Sequence, residues 1–259
     1  MQGKGIYVEM AHHPQVVLDT LDKMGPALEA AAVRQKVLSV VLLLMIVVGF
    51  IGFFLSICSA MGALTILGAA VSWILVFAGM ALLTILRKGQ NPLLREHFAA
   101  ARYILYTLRD DTGRKGRVIG WLDLSGPQRQ EKMVRTARSG GGKKKIYYRD
   151  PWFKVKFKLV DGNVLRLTLE DKVKVKAGAI VRHHSQFTAK LVVNPGVYRT
   201  PQTASRRTRT GAILHSEDGI LTVQASAPAK DLTMRQVLMT LKEMYITLEA
   251  MGAAQGGER

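Results

Sequence analysis

The chain has 259 residues, 48% of them hydrophobic, a single cysteine and a formal net charge of +18. The lone Cys58 excludes an internal disulfide framework. The length leaves room for one ordinary domain beside any membrane segment, and so large a positive excess points to an anionic partner.

The charge is unevenly placed. Of 37 basic and 19 acidic side chains, four of each precede Arg87: Lys4, Lys23, Arg34 and Lys36 against Glu9, Asp19, Asp22 and Glu29. The whole excess therefore belongs to the rest of the chain. Residues 1–36 read as an N-terminal amphipathic, juxtamembrane segment. Its first twelve residues show no periodicity and are expected to fray. From Pro14, the residues Val16, Val17, Leu18, Leu21 and Met24 recur near helical spacing. Gly25-Pro26 interrupts that pattern, and ALEAAAVRQK (Ala27–Lys36) is a strong helix former running into the next segment.

Val37 to Leu86 contains no Asp, Glu, Lys, Arg or His. A bilayer-spanning helix needs roughly 20 apolar residues, so the run holds two, with a small-residue turn at Ser59–Gly62. It reads as a two-helix transmembrane hairpin. Small residues fall at packing spacings, Gly49, Gly52 and Ser56 on the first helix and Gly68, Ser72 and Gly79 on the second. In lipid, close backbone approach has to supply the contact that the hydrophobic effect supplies in water. With no charge inside, the hairpin lacks the mark of an ion path or substrate site and reads as an anchor. Arg34 and Lys36 precede it and Arg87, Lys88 and Arg95 follow it, which predicts that both termini are cytoplasmic.

Residues 87–110 are expected to form a connecting helix, beginning at Pro92 and carrying Leu93, Leu94, Phe98, Tyr103, Ile104, Leu105 and Leu108 on an apolar face. Residues 111–252 then form a basic, β-rich domain, followed by a loose tail, 253–259. Strands are expected at 118–124, 152–160, 164–170, 172–177, 187–193, 212–216 and 220–226, and an amphipathic helix at 233–251. Thr233 with Gln236 fits a capping box for that helix.

Gly126–Lys145 carries seven basic residues, one acidic residue and a glycine triplet, and reads as a mobile basic loop. Thr200–Gly211 reads as a second. In PWFKVKFKLV-DGN-VLRLTLE the apolar faces favour a three-residue loop, Asp161-Gly162-Asn163, which opposes Phe157 to Leu167 and Leu159 to Leu165. Asn163 would take the left-handed position. The KVKVK stretch that follows either continues this strand or breaks from it at Glu170-Asp171.

The chemistry visible in the chain is cationic. Lys154, Lys156 and Lys158 share one strand face; Lys172, Lys174 and Lys176 form a similar row. Lys143, Lys144 and Lys145 of the first loop and Arg206, Arg207 and Arg209 of the second could join them. Such rows either solvate a sheet face and discourage edge pairing or contact an anionic surface, where each basic residue near an acidic leaflet contributes about 1 kcal/mol. Nucleic acid is the lesser candidate, since Tyr147, Tyr148 and Trp152 interleave with the charge but no recognised module motif is present. His183-His184 would point to opposite sides of a strand, and no zinc-ligand spacing accompanies them, so no metal is expected. No catalytic triad, P-loop or dinucleotide fingerprint is visible, and no cofactor or enzymatic activity is expected.

The expected fold is therefore α+β: a transmembrane hairpin, then a mostly antiparallel β domain of about seven strands with a C-terminal amphipathic helix. That element order is similar to a pleckstrin-homology-like barrel, although no diagnostic motif accompanies it and the last helix lacks the tryptophan usual in eukaryotic members. The resemblance implies that early loops bind anionic headgroups. The function expected is a membrane-anchored binding or scaffold protein contacting anionic lipid headgroups or an acidic protein. The alternative is a structural subunit of a larger membrane assembly, homo- or hetero-oligomeric, docking through the hairpin and the last helix.

Overall fold

The computed structural model describes residues 6–58, 63–88, 93–113, 116–138, 144–176, 179–198, 204–207, 213–217, 220–228 and 234–253. Lys143, Arg209, Thr233, the Ser59–Gly62 turn and Pro92 lie outside them, as does the side chain of Gln236. The chain divides into two compact units, one over Leu21–Gln90 and one made of Lys4–Thr20 with Asn91–Arg259.

The first unit is helical. Helix α1 runs from Pro14 to Cys58, its first residues belonging to the other unit, and α2 from Ala63 to Lys88. Both are long and apolar enough to cross a membrane. Pro26 lies inside α1, so Gly25-Pro26 does not break the helix as its sequence suggests. The missing N–H costs one hydrogen bond, and the strong helix formers that follow carry the helix through. The two helices approach at their small residues. A Cβ added at Gly49 would lie 2.8 Å from Val76 Cγ2 and 3.0 Å from the Ser72 carbonyl oxygen; one at Gly52 would lie 2.8 Å from Ser72 Oγ. At Gly79 it would lie 2.7 Å from Ile46 Cγ1, and at Gly68 3.0 Å from Ser56 Oγ. Ser56 and Ser72 donate to carbonyls one turn back, of Gly52 and Gly68, each at 2.8 Å, so neither hydroxyl is left wanting in apolar surroundings. Phe53 meets Trp73 edge-on at 5.0 Å. Away from the contact the helices are apolar and exposed, as at Leu55, Leu67 and Ile74.

The second unit is an antiparallel nine-stranded sheet, with α3 (Leu94–Leu108) and α4 (Met234–Ala253). The strands are β1 (Tyr7–Met10), β2 (Val118–Asp123), β3 (Met133–Arg138), β4 (Lys144–Lys158), β5 (Val164–Lys176), β6 (Ala179–Val192), β7 (Ala204–Arg207), β8 (Ile213–Glu217) and β9 (Ile220–Pro228). Their order is β1-β2-β4-β5-β6-β9-β8-β7, and β3 pairs with the first half of β4. Phe153, Phe157, Leu165, Leu167, Leu169 and Phe187 alternate onto one sheet face and are fully buried, as are Ile104 and Leu105 of α3 and Met244 and Leu248 of α4.

Several expectations change. Residues 7–10 do not fray; they pair with β2, and the ladder is prolonged by the Leu124 N–H donating to the Ile6 carbonyl at 2.8 Å. The first basic loop contains β3 and the start of β4. Strand β3 is exposed nearly throughout, so it carries no apolar alternation to betray it. The strand expected at 152–160 begins at Lys144 and tolerates Pro151 for a specific reason. On that edge of β4, β3 pairs with 144–148 and β2 with 153–157, so Pro151 falls between two ladders where no N–H is needed. The strands expected at 164–170 and 172–177 are joined through Glu170-Asp171 into the single β5, Val164–Lys176. The strand expected from Phe187 starts at Ala179, and part of the second basic loop is β7.

The β4–β5 register also differs. Phe157 faces Leu165, Val155 faces Leu167 and Phe153 faces Leu169. The loop is three residues long, but they are Val160-Asp161-Gly162. The Gly162 N–H donates to the Leu159 carbonyl at 3.0 Å, and the Leu159 N–H donates to the Asn163 carbonyl at 2.9 Å. Gly162, with φ +83°, takes the left-handed position expected of Asn163. A type I turn closed by glycine in that position is the favoured three-residue hairpin. Asn163 is instead fully buried, its Oδ1 accepting the Asn194 N–H at 2.6 Å.

Candidate functional site: a cationic sheet face

The long strands β4, β5 and β6 turn one face away from the buried phenylalanines, and residues paired across strands point to the same side. The register therefore reads out that face row by row. Lys156 faces Arg166, which faces Lys190. Lys154 faces Thr168, which faces Thr188. Beyond a bulge at Trp152, Arg149 faces Lys172, which faces His184; Tyr147 faces Lys174, which faces Arg182; and Lys145 faces Lys176. The two lysine ladders thus lie on one face of one sheet, joined by Arg166, Lys190, Arg149 and Arg182. Glu170 is the sole acidic residue on that face of these three strands among the described residues.

Paired side chains on adjacent strands have Cβ atoms about 5 Å apart, where like charges destabilise a sheet. In the Lys156–Arg166–Lys190 row no member has an ion-pair partner among the described residues. Compensation exists only toward the other end. Arg149 Nε lies 2.8 Å from Glu170 Oε2, and Lys172 Nζ donates to Gln186 Oε1 at 2.6 Å. Lys174 Nζ and the Arg135 guanidinium lie 5.6 Å and 4.3 Å from the centre of the Tyr147 ring.

Of the other candidate cations, Lys144 alternates to the opposite face from Lys145 and pairs with Arg138. Arg206 and Arg207 lie on β7 at the far edge of the sheet, five strands on from β4, where Arg207 falls in line with the Lys154 row by register but not beside its cations. Arg166 and Lys190 carried a sequence signal, the parity of their alternation, but only the register brings them beside Lys156.

A second set of charged groups is buried. Asp150 of β4 faces Asp171 of β5. Lys132, from the short 3-10 turn before β3, is no solvent cation. Its Nζ lies 2.6 Å from Asp150 Oδ1 and 2.7 Å from Asp123 Oδ2, and donates to Ser125 Oγ at 3.0 Å. Burial raises Asp150 above the usual carboxylate range, against the pull of Lys132. Burial also pushes Asp123 upward, but hydrogen bonds from Lys132 and Ser125 outweigh it and hold its carboxyl below that range.

Asp171 is the hub of the remaining groups. His97 Nε2 of α3 lies 2.8 Å from its Oδ2, His183 Nε2 lies 2.9 Å from the same oxygen, and Ser185 Oγ donates to Oδ1 at 2.6 Å. Burial opposes ionisation, but hydrogen bonds from His183, His97 and Ser185 prevail and hold the carboxyl well below its usual range. His97 stacks flat on the bulged Trp152, ring centres 4.0 Å apart. His184 points away from this cluster and accepts from Arg182 Nε at 2.8 Å. The clue in sequence was Asp171 itself, a charge at the apolar parity of Leu165, Leu167, Leu169, Val173 and Val175.

This cluster fastens α3 to the sheet. It is not arranged as an acyl-transfer triad, because serine and both histidines converge on the carboxylate and neither histidine stands between it and the Ser185 hydroxyl. Among the described residues no three His, Cys, Asp or Glu side chains are grouped to hold a metal ion. A mostly apolar cleft of about 690 Å³ lies between α3, α4 and the β4–β5 turn, lined by Tyr103, Leu108, Leu165, Met239, Leu241 and Tyr245 among others.

No protein-family model, no curated protein and no solved structure matches this chain.

Proposed function

We propose that this chain is a membrane-anchored, non-enzymatic binding protein whose cationic sheet face contacts anionic lipid headgroups. The observation that carries the reading is the Lys156–Arg166–Lys190 row, like charges held opposite one another with no carboxylate partner among the described residues. A face that served only to be solvated would interleave acids along its strands, and on β4, β5 and β6 Glu170 stands alone there among the described residues, while Glu9 of β1 and Glu217 of β8 reach the same face only two strands away from them. An anionic leaflet supplies the missing countercharge, at about 1 kcal/mol per basic residue near the surface.

Helices α1 and α2 supply the tether in this reading, spanning the bilayer with both termini cytoplasmic. A tethered face needs only modest intrinsic affinity, because its effective concentration at the membrane is already high. The headgroup reading is preferred over a subunit of a larger assembly because the small residues of the hairpin are already used between its own two helices, at Gly49, Gly52, Gly68 and Gly79.

The test uses the full chain in phosphatidylcholine nanodiscs, mixed with free vesicles. Capture of phosphatidylserine vesicles should be strong and should fall steeply with salt. Equal capture of phosphatidylcholine vesicles would refute the reading.

A further inference from the structure

At one end of the cationic face the sheet makes a groove of about 380 Å³, lined by Gly116, Arg117, Ile119, Lys156, Lys158 and Val164. Arg117 immediately precedes β2. Ile119 faces Lys156, and Lys158 faces Val164, so the groove crosses the ends of β2, β4 and β5. Its position depends on a close approach. The Gly116 N–H donates to the Gly113 carbonyl at 2.6 Å, and a Cβ at Gly116 would collide with Thr112 and stand 3.2 Å from the Lys158 carbonyl oxygen. That contact sets the residue after it, Arg117, beside the two lysines. None of the three cations has an ion-pair partner among the described residues. Arg166, opposite Lys156, adds a fourth at the rim.

We propose that this groove is a phosphate site: Arg117, Lys156 and Lys158 grip a phosphomonoester group, and Ile119 and Val164 seat the carbon skeleton that bears it. The chemistry matches the walls. A doubly charged phosphate presents several strong acceptor oxygens to three convergent donors, of which arginine offers a paired fork and lysine a point charge. The volume falls in the range of about 300 to 1,000 Å³ typical of small-ligand sites, enough for a phosphate with a glycerol-sized attachment. The exposed Ile119, out of place on a polar face, has a role as floor. The inference rests on the headgroup reading only for where the phosphate comes from. The ligand is either the headgroup of a phosphomonoester lipid or a soluble phosphate ester.

Two charge-matched variants of the full chain in phosphatidylcholine nanodiscs separate a site from a diffuse field. One is Arg117→Gln/Lys156→Gln/Lys158→Gln. The other is Lys172→Gln/Lys174→Gln/Lys176→Gln, at the opposite end of the same face. Against vesicles containing phosphatidic acid, each variant loses the field of three basic residues, up to about a hundredfold, and the first should lose at least about tenfold more than the second. Glycerol 3-phosphate, titrated by calorimetry, should bind the unaltered protein and not the first variant. If it binds the site while phosphatidic acid vesicles do not, the ligand is soluble and the groove still holds phosphate. Equal losses in the two variants would overturn the groove as a site and leave the face reading standing. No loss in either would overturn both. Lys156→Arg/Lys158→Arg keeps the charge and should keep binding, which distinguishes loss of the site from loss of the fold.

Discussion

Arg166 sits in the middle of the Lys156–Arg166–Lys190 row, so reversing its charge converts two repulsive cross-strand pairs into two attractive ones. Cross-strand charge pairs are worth roughly 0.2 to 1 kcal/mol each. All three residues are exposed, so the lower half of that range applies. Two pairs, each moving from repulsion to attraction, give a stabilisation of about 1 kcal/mol for Arg166→Glu. For a unit of this size that is a rise of roughly 2–4 °C in melting temperature. Trp121 and Trp152 lie in the sheet unit and can report its unfolding by fluorescence in the detergent-solubilised full chain. The gain should shrink in molar salt, where the screening length is about 3 Å. The same substitution should weaken capture of phosphatidylserine vesicles. Stability and binding therefore move in opposite directions. A variant that melts lower than the parent, or one whose gain is unaffected by salt, would refute the claim that the row is held together against its own repulsion.

Asp171→Asn removes the carboxylate on which His97 Nε2, His183 Nε2 and Ser185 Oγ converge, and should cost about 1–3 kcal/mol, read from denaturant unfolding of the sheet unit. Because the Asp171 carboxyl is held below its ordinary range, its contribution to stability is complete above about pH 4 and drains away as pH falls through the folded value; the asparagine variant should show a flatter acid limb. Gly49→Val drives a side chain against Val76 and the Ser72 carbonyl, and should part α1 from α2, seen as a changed emission of Trp73, which packs on Phe53. Gly162→Ala meets both a positive φ and Asn194 and should destabilise the β4–β5 hairpin by about 1–3 kcal/mol, measured as faster amide exchange in the strand ends.

What could be read from the chain depended on whether a signal was local. The charge-free run from Val37 to Leu86 and the alternation of Phe153, Val155 and Phe157 are periodicities, and each announces its element. Strand β3 and the N-terminal β1 are short edge elements held by backbone pairing to β4 and β2; β3 is exposed nearly throughout, and β1, which ends on the buried Met10, alternates over only four residues, too short a run to announce a strand. The hairpin turn was misplaced by one residue because asparagine and glycine can both take a left-handed position. Glycine does so without steric cost, and burial of Asn163 against Asn194 settles the choice. Arg166 and Lys190 were legible as outward-facing but not as neighbours of Lys156, since that requires a three-strand register. The ties of His97 to Asp171 and of Lys132 to Asp150 join residues distant in sequence, and no spacing rule reaches them.

The central claim, that the cationic face meets an anionic bilayer, is tested most directly by lysine acylation of the full chain in nanodiscs, read by mass spectrometry. Lys154, Lys156, Lys158 and Lys190 should be protected in phosphatidylserine-containing bilayers and labelled freely in phosphatidylcholine. Equal labelling of these four lysines in the two lipids would contradict it.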